Sequence, residues 1–473
     1  MKKETHIMSA RVVCISLLAG GLALFLTGCD QVEDLVNWSP DGSRAVVRAN
    51  GTLCLLDTNG KLSCAIADNV GSSAWLPDSH GLILLQSIAV TNWSEARRLL
   101  PPEEIADVEA LAKGLPDLVR AGLATANGES TNIGDVFTEQ FKIEHPEMIV
   151  AAVLCARDTQ SNALDRAIQT ARDPEKLRAD IGDVATNKVA EIAVVVLGNG
   201  TNTNASRTIV RSLTELQQPR PSPTGKSVAF IREGSLEVTA LDGSTNRVVA
   251  AEKVVGEYAW TPDGRGLVYA VHSGEKWESG DLVRIERRTV IGSNGELVTN
   301  SPAQPLAISV ATFEPRIRCL PDGRILFAGL QQRLPASATA EQEARLYLID
   351  PTPGTNAAPV TIPSPAGALP QDLAAFAPSP DGRQIAIVES GSDSVAVLDV
   401  KTGALEVVSP KHGWKSTTLP AWRGTNELYF GALPAASSSR PELLRWHKGS
   451  APQVVSQSWP DEAAGILLKK PNN

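Results

Sequence analysis

The sequence predicts an all-β protein: a β-propeller of seven four-stranded blades with an α-helical insertion in the second blade. Two observations predict it. A short block built around Trp-Ser-Pro-Asp-Gly, or a degraded copy, recurs seven times, and each copy leads into an apolar strand-like run. Between the second and third copies lie roughly a hundred residues more than a blade needs, and there the hydrophobic spacing turns from period two to helical. The copies read NWSPDGSRAVV from Asn37, AWLPDSHGLILL from Ala74, RPSPTGKSVAFI from Arg220, AWTPDGRGLVYA from Ala259, RCLPDGRILFAG from Arg318, APSPDGRQIAIV from Ala377 and AWRGTNELYFGA from Ala421. Six blades is the alternative, if the last copy only completes a neighbour. A radial repeat can carry one fold over 473 residues because each unit packs only on its neighbours. With 42% hydrophobic and 21% charged residues, the chain can bury a large core.

Taken in order, the first element is an address. Lys2, Lys3 and Arg11 precede an apolar run from Val12 to Leu26, and Leu26-Thr27-Gly28-Cys29 follows. Residues 1–28 therefore read as a secretory signal ending in a lipobox, with Cys29 as the lipid-bearing mature N-terminus. An apolar run of about fifteen residues falls short of the ~20 that span a bilayer. Resemblance to bacterial lipoproteins implies three acyl chains, enough for stable anchoring. Asp30 occupies the position that favours inner-membrane retention in enterobacterial lipoproteins, so the expected location is the cell envelope, facing the periplasm, with inner and outer membrane both open. Cleavage would move the formal charge from -9 to -11.

Residues 29–91 are expected to form blade one and the first part of blade two. In each copy an apolar strand ends at the Trp-type position, Pro-Asp-Gly turns the chain, and the next strand begins. Pro40, Pro262, Pro321 and Pro380 preset φ at the first turn position. Asp41, Asp263, Asp322 and Asp381 can bond their own backbone, and Gly42, Gly264, Gly323 and Gly382 accept the left-handed conformation. Trp38, Trp75, Trp260 and Trp422 are expected to fill the gaps between neighbouring sheets, a structural role. A second hairpin follows each motif, through Leu53–Leu56, Leu236–Leu241, Leu346–Asp350 and Val395–Val400, and two hairpins make a blade.

Export would place Cys54, Cys64, Cys155 and Cys319 in an oxidising space. Cys54 and Cys64 flank LLDTNGKLS, a hairpin signal. A three-residue loop at Thr58–Gly60 would oppose the two cysteines and allow a structural cross-strand disulfide; a two-residue Asn59-Gly60 loop would put them on opposite faces. Cys319 stands at the Trp position of its copy, and Cys155 lies in an apolar helix.

The insertion is expected over residues 92–188. Pro102-Glu103-Glu104 opens a helix whose stripe is Ile105, Val108, Leu111 and Ala112, with Gly114 closing it. Pro146 to Cys155 reads as a buried central helix, Asp173-Pro174-Glu175 as the start of another, and Asp135–Phe141 and Ala163–Ala171 as shorter ones. The segment from Thr91 to Lys188 holds 17 acidic residues against 11 basic. The strand AEIAVVVLGNG from Ala190 resumes the blade, so the helices loop out between its second and third strands, and residues 189–470 complete the propeller.

The repeated block resembles the TolB-type propeller, a WD-like repeat family with the signature W-S-P-D-G, over about three quarters of the chain. The family's namesake has an α/β domain ahead of its propeller, whereas here Cys29 leads directly to Trp38, so the chain is not that protein. Such blades serve as translocation scaffolds, peptidase caps and sugar-cleaving enzymes, so the resemblance implies a fold and leaves the function open.

A hydrolase would need a nucleophile elbow, and no G-x-S-x-G occurs. Nor does H-E-x-x-H, H-x-H or Cys-x-x-Cys, and no phosphate loop is present. No catalytic residue, metal or cofactor is expected. Oligogalacturonate lyases, which resemble these blades, bind a metal through several channel histidines and a glutamine; here only His272 and His412 are expected at channel loops. The acidic body argues against nucleic acid. The expected function is a lipid-anchored envelope module that binds a protein or glycan partner, reaching the membrane through Cys29. A polysaccharide-processing propeller enzyme and a structural subunit of an envelope assembly are the alternatives.

Overall fold

The computed structural model describes residues 36–49, 52–58, 62–125, 146–170, 187–197, 205–250, 252–277, 280–298, 301–311, 316–330, 344–351, 360–362, 373–389, 394–408, 414–416, 419–434 and 442–455, together with 174, 175 and 178. Among them the strands form seven four-stranded antiparallel blades arranged in a ring. Blade one is Val36–Trp38, Arg44–Ala49, Thr52–Asp57 and Leu62–Ala67. Blade two is Val70–Trp75, Gly81–Val90, Asn187–Val196 and Ala205–Ser212; blade three is Leu216–Pro221, Ser227–Arg232, Ser235–Ala240 and Asn246–Ala250. Blade four is Ala259–Trp260, Gly266–Trp277, Gly280–Thr289 and Gln304–Ala311; blade five is Ile317–Cys319, Ile325–Leu330, Ala344–Ile349 and Val360–Thr361. Blade six is Leu373–Pro378, Gln384–Glu389, Val395–Asp399 and Leu405–Val407. Blade seven, Ala421–Arg423, Glu427–Pro434, Glu442–His447 and Gln453–Val454, is complete in itself, so the degraded seventh copy builds its own blade.

The core is a circle of seven seams. Each blade presents one apolar face to the blade before it and one to the blade after, because residues two apart on a strand share a face. Val46, Leu53, Trp75 and Leu82 join blades one and two; Ile83, Ile192, Val228 and Phe230 join two and three. Ala229, Tyr258, Trp260 and Tyr269 join three and four; Val268, Ile285, Phe327 and Ile349 join four and five. Leu326, Leu346, Phe376 and Ile387 join five and six, and Val388, Val397, Trp422 and Trp446 join six and seven. Val36, Trp38, Tyr429 and Leu443 close the circle between seven and one.

The turn chemistry repeats at atomic level. Gly42 N–H donates to Ser39 O at 2.8 Å, as Gly264 does to Thr261 O, while Ser39 Oγ and Thr261 Oγ1 each donate to the turn aspartate Oδ1 at 2.6 Å. Asp41 Oδ1 also accepts from Ser43 N at 3.0 Å, and these bonds hold its carboxyl low, at about 2. Blade two departs from the pattern with Ser79 at the glycine position, held at φ +62°. Its hydroxyl accepts from Asp41 N at 3.1 Å and its carbonyl from Arg44 Nη2 at 3.0 Å, which stitches the turns of blades one and two together.

The tryptophans fill the seams as expected, and each is 6–8% exposed. Three also bond across the seam: Trp75 Nε1 donates to Asn37 O at 2.8 Å, Trp260 Nε1 to Arg220 O at 2.9 Å and Trp422 Nε1 to Ala377 O at 2.9 Å. In every case the acceptor is the residue just before the neighbouring blade's Trp-type position. Trp38 Nε1 is buried without a partner among the described residues, so the closing seam is made differently. Arg423, paired with Glu427 at 3.0 Å, places its guanidinium 5.0 Å above the Trp38 ring and donates from Nε to Gly42 O at 3.1 Å.

The three longer helical segments among the described residues interrupt blade two between its second and third strands, which pair over ten residues from Gly81↔Val196 to Val90↔Asn187. They are α1 (Trp93–Leu99), α2 (Pro102–Thr125) and α3 (Pro146–Gln169). The expected stop at Gly114 is overturned: α2 continues through Gly114 and Pro116. Burial of Val108, Ala112 and Leu115 against α3 outweighs the local cost of both residues. The separate helix expected at Ala163–Ala171 is instead the second half of α3, continued across a kink at Gln160. Asp135–Phe141 and most of the helix expected from Asp173 lie outside the described residues. Glu104 fastens the insertion to the propeller, its carboxyl accepting from Ser212 Oγ at 2.6 Å and Leu213 N at 2.7 Å; burial pushes this carboxyl up.

The cysteines are only partly visible. In the hairpin of blade one, Leu56 faces Leu62, the register of a three-residue loop, but a bulge then brings Cys54 opposite Ala65. The Cys64 side chain and Cys29 lie outside the described residues. Cys155 is buried in α3, as expected. Burial pushes the Cys319 thiol up to about 12.

Candidate functional site

The first strand of each blade is the one nearest the axis, as contacts between first strands in five of the seven adjacent blade pairs show. On such a strand, residues two apart face the same way, so the residues one and three positions before the Trp-type residue are presented together. They line a cavity of about 520 Å³. Asn37, Ala74, Arg220 and Arg318 come from the nearer position; Ser72, Gln218, Glu257, Arg316 and Leu419 come from the farther one. Arg48, from the second strand of blade one, completes the charged lining.

The cavity is electropositive. Among the described residues of its lining four arginines face a single carboxylate, although the whole chain carries a formal charge of -9. Glu257 sits between three of them: Arg220 Nη2 lies 2.8 Å from its Oε2, Arg316 Nη1 lies 3.6 Å from its Oε1, and Arg318 Nη1 donates to Oε2. Burial opposes ionisation, but Arg318, Arg220 and Arg316 outweigh it and hold the carboxyl far below the usual glutamate range. Arg220 is itself fixed by donation to Tyr258 O and by its guanidinium 5.3 Å from the Tyr258 ring. The Tyr258 hydroxyl, which lies 2.5 Å from Gln218 O and 2.6 Å from Ala229 O, is fully buried, and its pKa is raised by that burial.

Two members of the lining differ from the rest. Gln218 holds φ +49°, a left-handed conformation costly for a long side chain, and its amide oxygen is buried with no partner among the described residues. Arg316 is 8% exposed; among the described residues it makes no hydrogen bond, and its one ion pair is the 3.6 Å contact with Glu257.

Of the residues singled out in the sequence, Trp38, Pro40 and Trp75 reach this cavity, while Trp260 and Trp422 are confined to seams. His272 does not: it lies exposed on the second strand of blade four, paired with Val283, because the strand runs on past the point where a loop was expected. His412 lies outside the described residues. Among the described residues, no three of His, Cys, Asp and Glu gather as a metal site would require. Sequence reasoning passed over Arg220, Glu257, Arg316 and Arg318, although aligning the seven copies and reading one and three places before the Trp position collects them all.

No family model matches the chain, and no curated protein does. Solved structures with a similar fold include a putative TolB from Agrobacterium tumefaciens, 16% identical over 53% of this chain and 84% of that one, with a TM-score of 0.35. Hydrazine synthase from Kuenenia stuttgartiensis is 12% identical over 89% of this chain and 99% of the other, with a TM-score of 0.47. The propeller domain of the trilobed protease from Pyrococcus furiosus is 13% identical over 57% and 80%, with a TM-score of 0.38. The propeller assignment rests on the seven blades and their seven seams, independently of these likenesses.

Proposed function

We propose that the protein is a cell-envelope lipoprotein, held at the membrane through lipid on Cys29, whose TolB-type propeller binds a protein or glycan partner. The observation that carries the binding reading is the cavity at the axis, about 520 Å³ and lined by polar and charged side chains from five of the seven blades. A ring needed only as a spacer would gain nothing from arginines held there. The insertion supports the same reading by its placement. Strands alternate in direction, so the link between the second and third strands of blade two emerges on the face opposite the Pro-Asp-Gly turns. Each first strand begins on that face, where Gln218, Glu257 and Arg316 stand, so the helices flank the charged end of the channel. The signal and lipobox ending at Cys29 support the envelope address.

Cross-linking in living cells, followed by fractionation, tests this reading. The native chain is expected in the membrane fraction with a cross-linked partner, and the Cys29→Ser chain is expected to leave that fraction and lose the partner. A Cys29→Ser chain that stays with the membrane and keeps the same adducts overturns it.

A further inference from the structure

We infer that the axial cavity binds a carboxylate group of a small organic ligand, with Arg316 as its principal donor and Arg318 beside it. The inference rests on the binding-module reading and names the chemistry that the cavity selects. The first argument is charge. Burying positive charge beyond what Glu257 neutralises is costly, and the Glu257 carboxylate already has close partners in Arg220 and Arg318. Arg316 is the surplus: nine-tenths buried, its guanidinium within reach of the cavity, and without a hydrogen bond to any described residue. A guanidinium has five donors in a planar fork that matches a carboxylate in two parallel bonds, and among the described residues Arg316 meets a carboxylate only in the single 3.6 Å contact with Glu257.

The second argument is that the cavity already cradles one carboxylate. Glu257 enters from the blade-four side and is met by guanidinium groups from blades three and five. A ligand carboxylate approaching Arg316 from the open side would complete a symmetric arrangement of alternating charge. Across the ring from Arg316, the edges of Trp38 and Trp75 reach the cavity and add some apolar surface to its lining. The volume suits a molecule of a few heavy atoms to about the size of a disaccharide.

Titration calorimetry on the mature protein tests this, with citrate and inorganic phosphate as probes at constant ionic strength set by chloride. Saturable citrate binding is expected, tighter than phosphate, and weakened about tenfold or more in Arg316→Gln, a loss of roughly 1.4 kcal/mol. Because Arg316 is buried, a second variant leaves it in place: Ser72→Glu sets a competing carboxylate on the wall across the ring and is expected to abolish citrate binding. Absence of saturable citrate binding up to ~10 mM overturns the inference, since that excludes even a millimolar site. So do phosphate binding more tightly than citrate, and citrate binding unchanged in both variants. These free-ion probes need no cellular partner, so a negative result here leaves the outcome of cross-linking untouched.

Discussion

Replacing Glu257 by alanine is expected to destabilise the protein by about 3–5 kcal/mol, the cost of removing one partner from a buried ion-pair cluster. The reason is the company that Glu257 keeps. Arg220, Arg316 and Arg318 all lean on its carboxylate, with side-chain exposures of 28%, 9% and 20%, so water can replace little of what they lose. Without it, three like charges repel across a small volume. Urea unfolding of native and Glu257→Ala proteins at pH 7 measures the loss. The pH dependence has a fixed sign, because the folded-state value lies below the unfolded value of 4.5. The stabilisation from Glu257 is complete above that value and fades as pH falls through the acid range towards the folded-state value. The native protein should therefore lose its advantage over the variant on acidification. An advantage that is equal at pH 7 and well below pH 4 would contradict this.

Trp260→Ala is expected to cost a similar amount, about 3–5 kcal/mol, by a different route. The indole is 8% exposed in the seam of blades three and four, among Val238, Tyr258, Leu267 and Tyr269. Its loss opens a cavity that the flanking sheets cannot close without moving. It also strips Arg220 O of the 2.9 Å bond from Trp260 Nε1. Since that carbonyl belongs to a residue of the charged lining, the seam and the channel should loosen together. Trp260→Phe keeps most of the packing and forfeits the bond, so it should lose about 1 kcal/mol. The two variants are compared by their urea midpoints, and an alanine variant no worse than the phenylalanine one would show that the seam does not depend on the ring.

Much of the architecture was written locally, and this explains where the reading succeeded. A turn such as Ser39–Gly42 uses four consecutive residues, and its proline, aspartate and glycine each have one conformational task, so the sequence displays it directly. The stop at Gly114 failed because a tertiary contact, the packing of α2 on α3, decided the matter. The hairpin at Cys54 shows a subtler limit: turn chemistry predicts register at the loop, yet a bulge two residues on shifts Cys54 to Ala65. The channel was hidden for a third reason. Its charged members come from different repeats, 270 positions apart from Arg48 to Arg318, and none forms a motif with its sequence neighbours. Only the closed ring brings them within bonding distance. The repeat nevertheless contained the information, since a residue's distance from the Trp position determines whether it faces a seam or the axis.

Site-specific photo-cross-linking in living cells tests whether the axial cavity is the binding surface. A photoreactive amino acid at Ala74 would sit on the cavity wall, whereas one at Val407, 52% exposed on the outermost strand of blade six, would face outward. Adducts from position 74 and none from position 407 are the result predicted here. Adducts from position 407 with none from position 74 would place recognition on the rim of the ring and contradict the account.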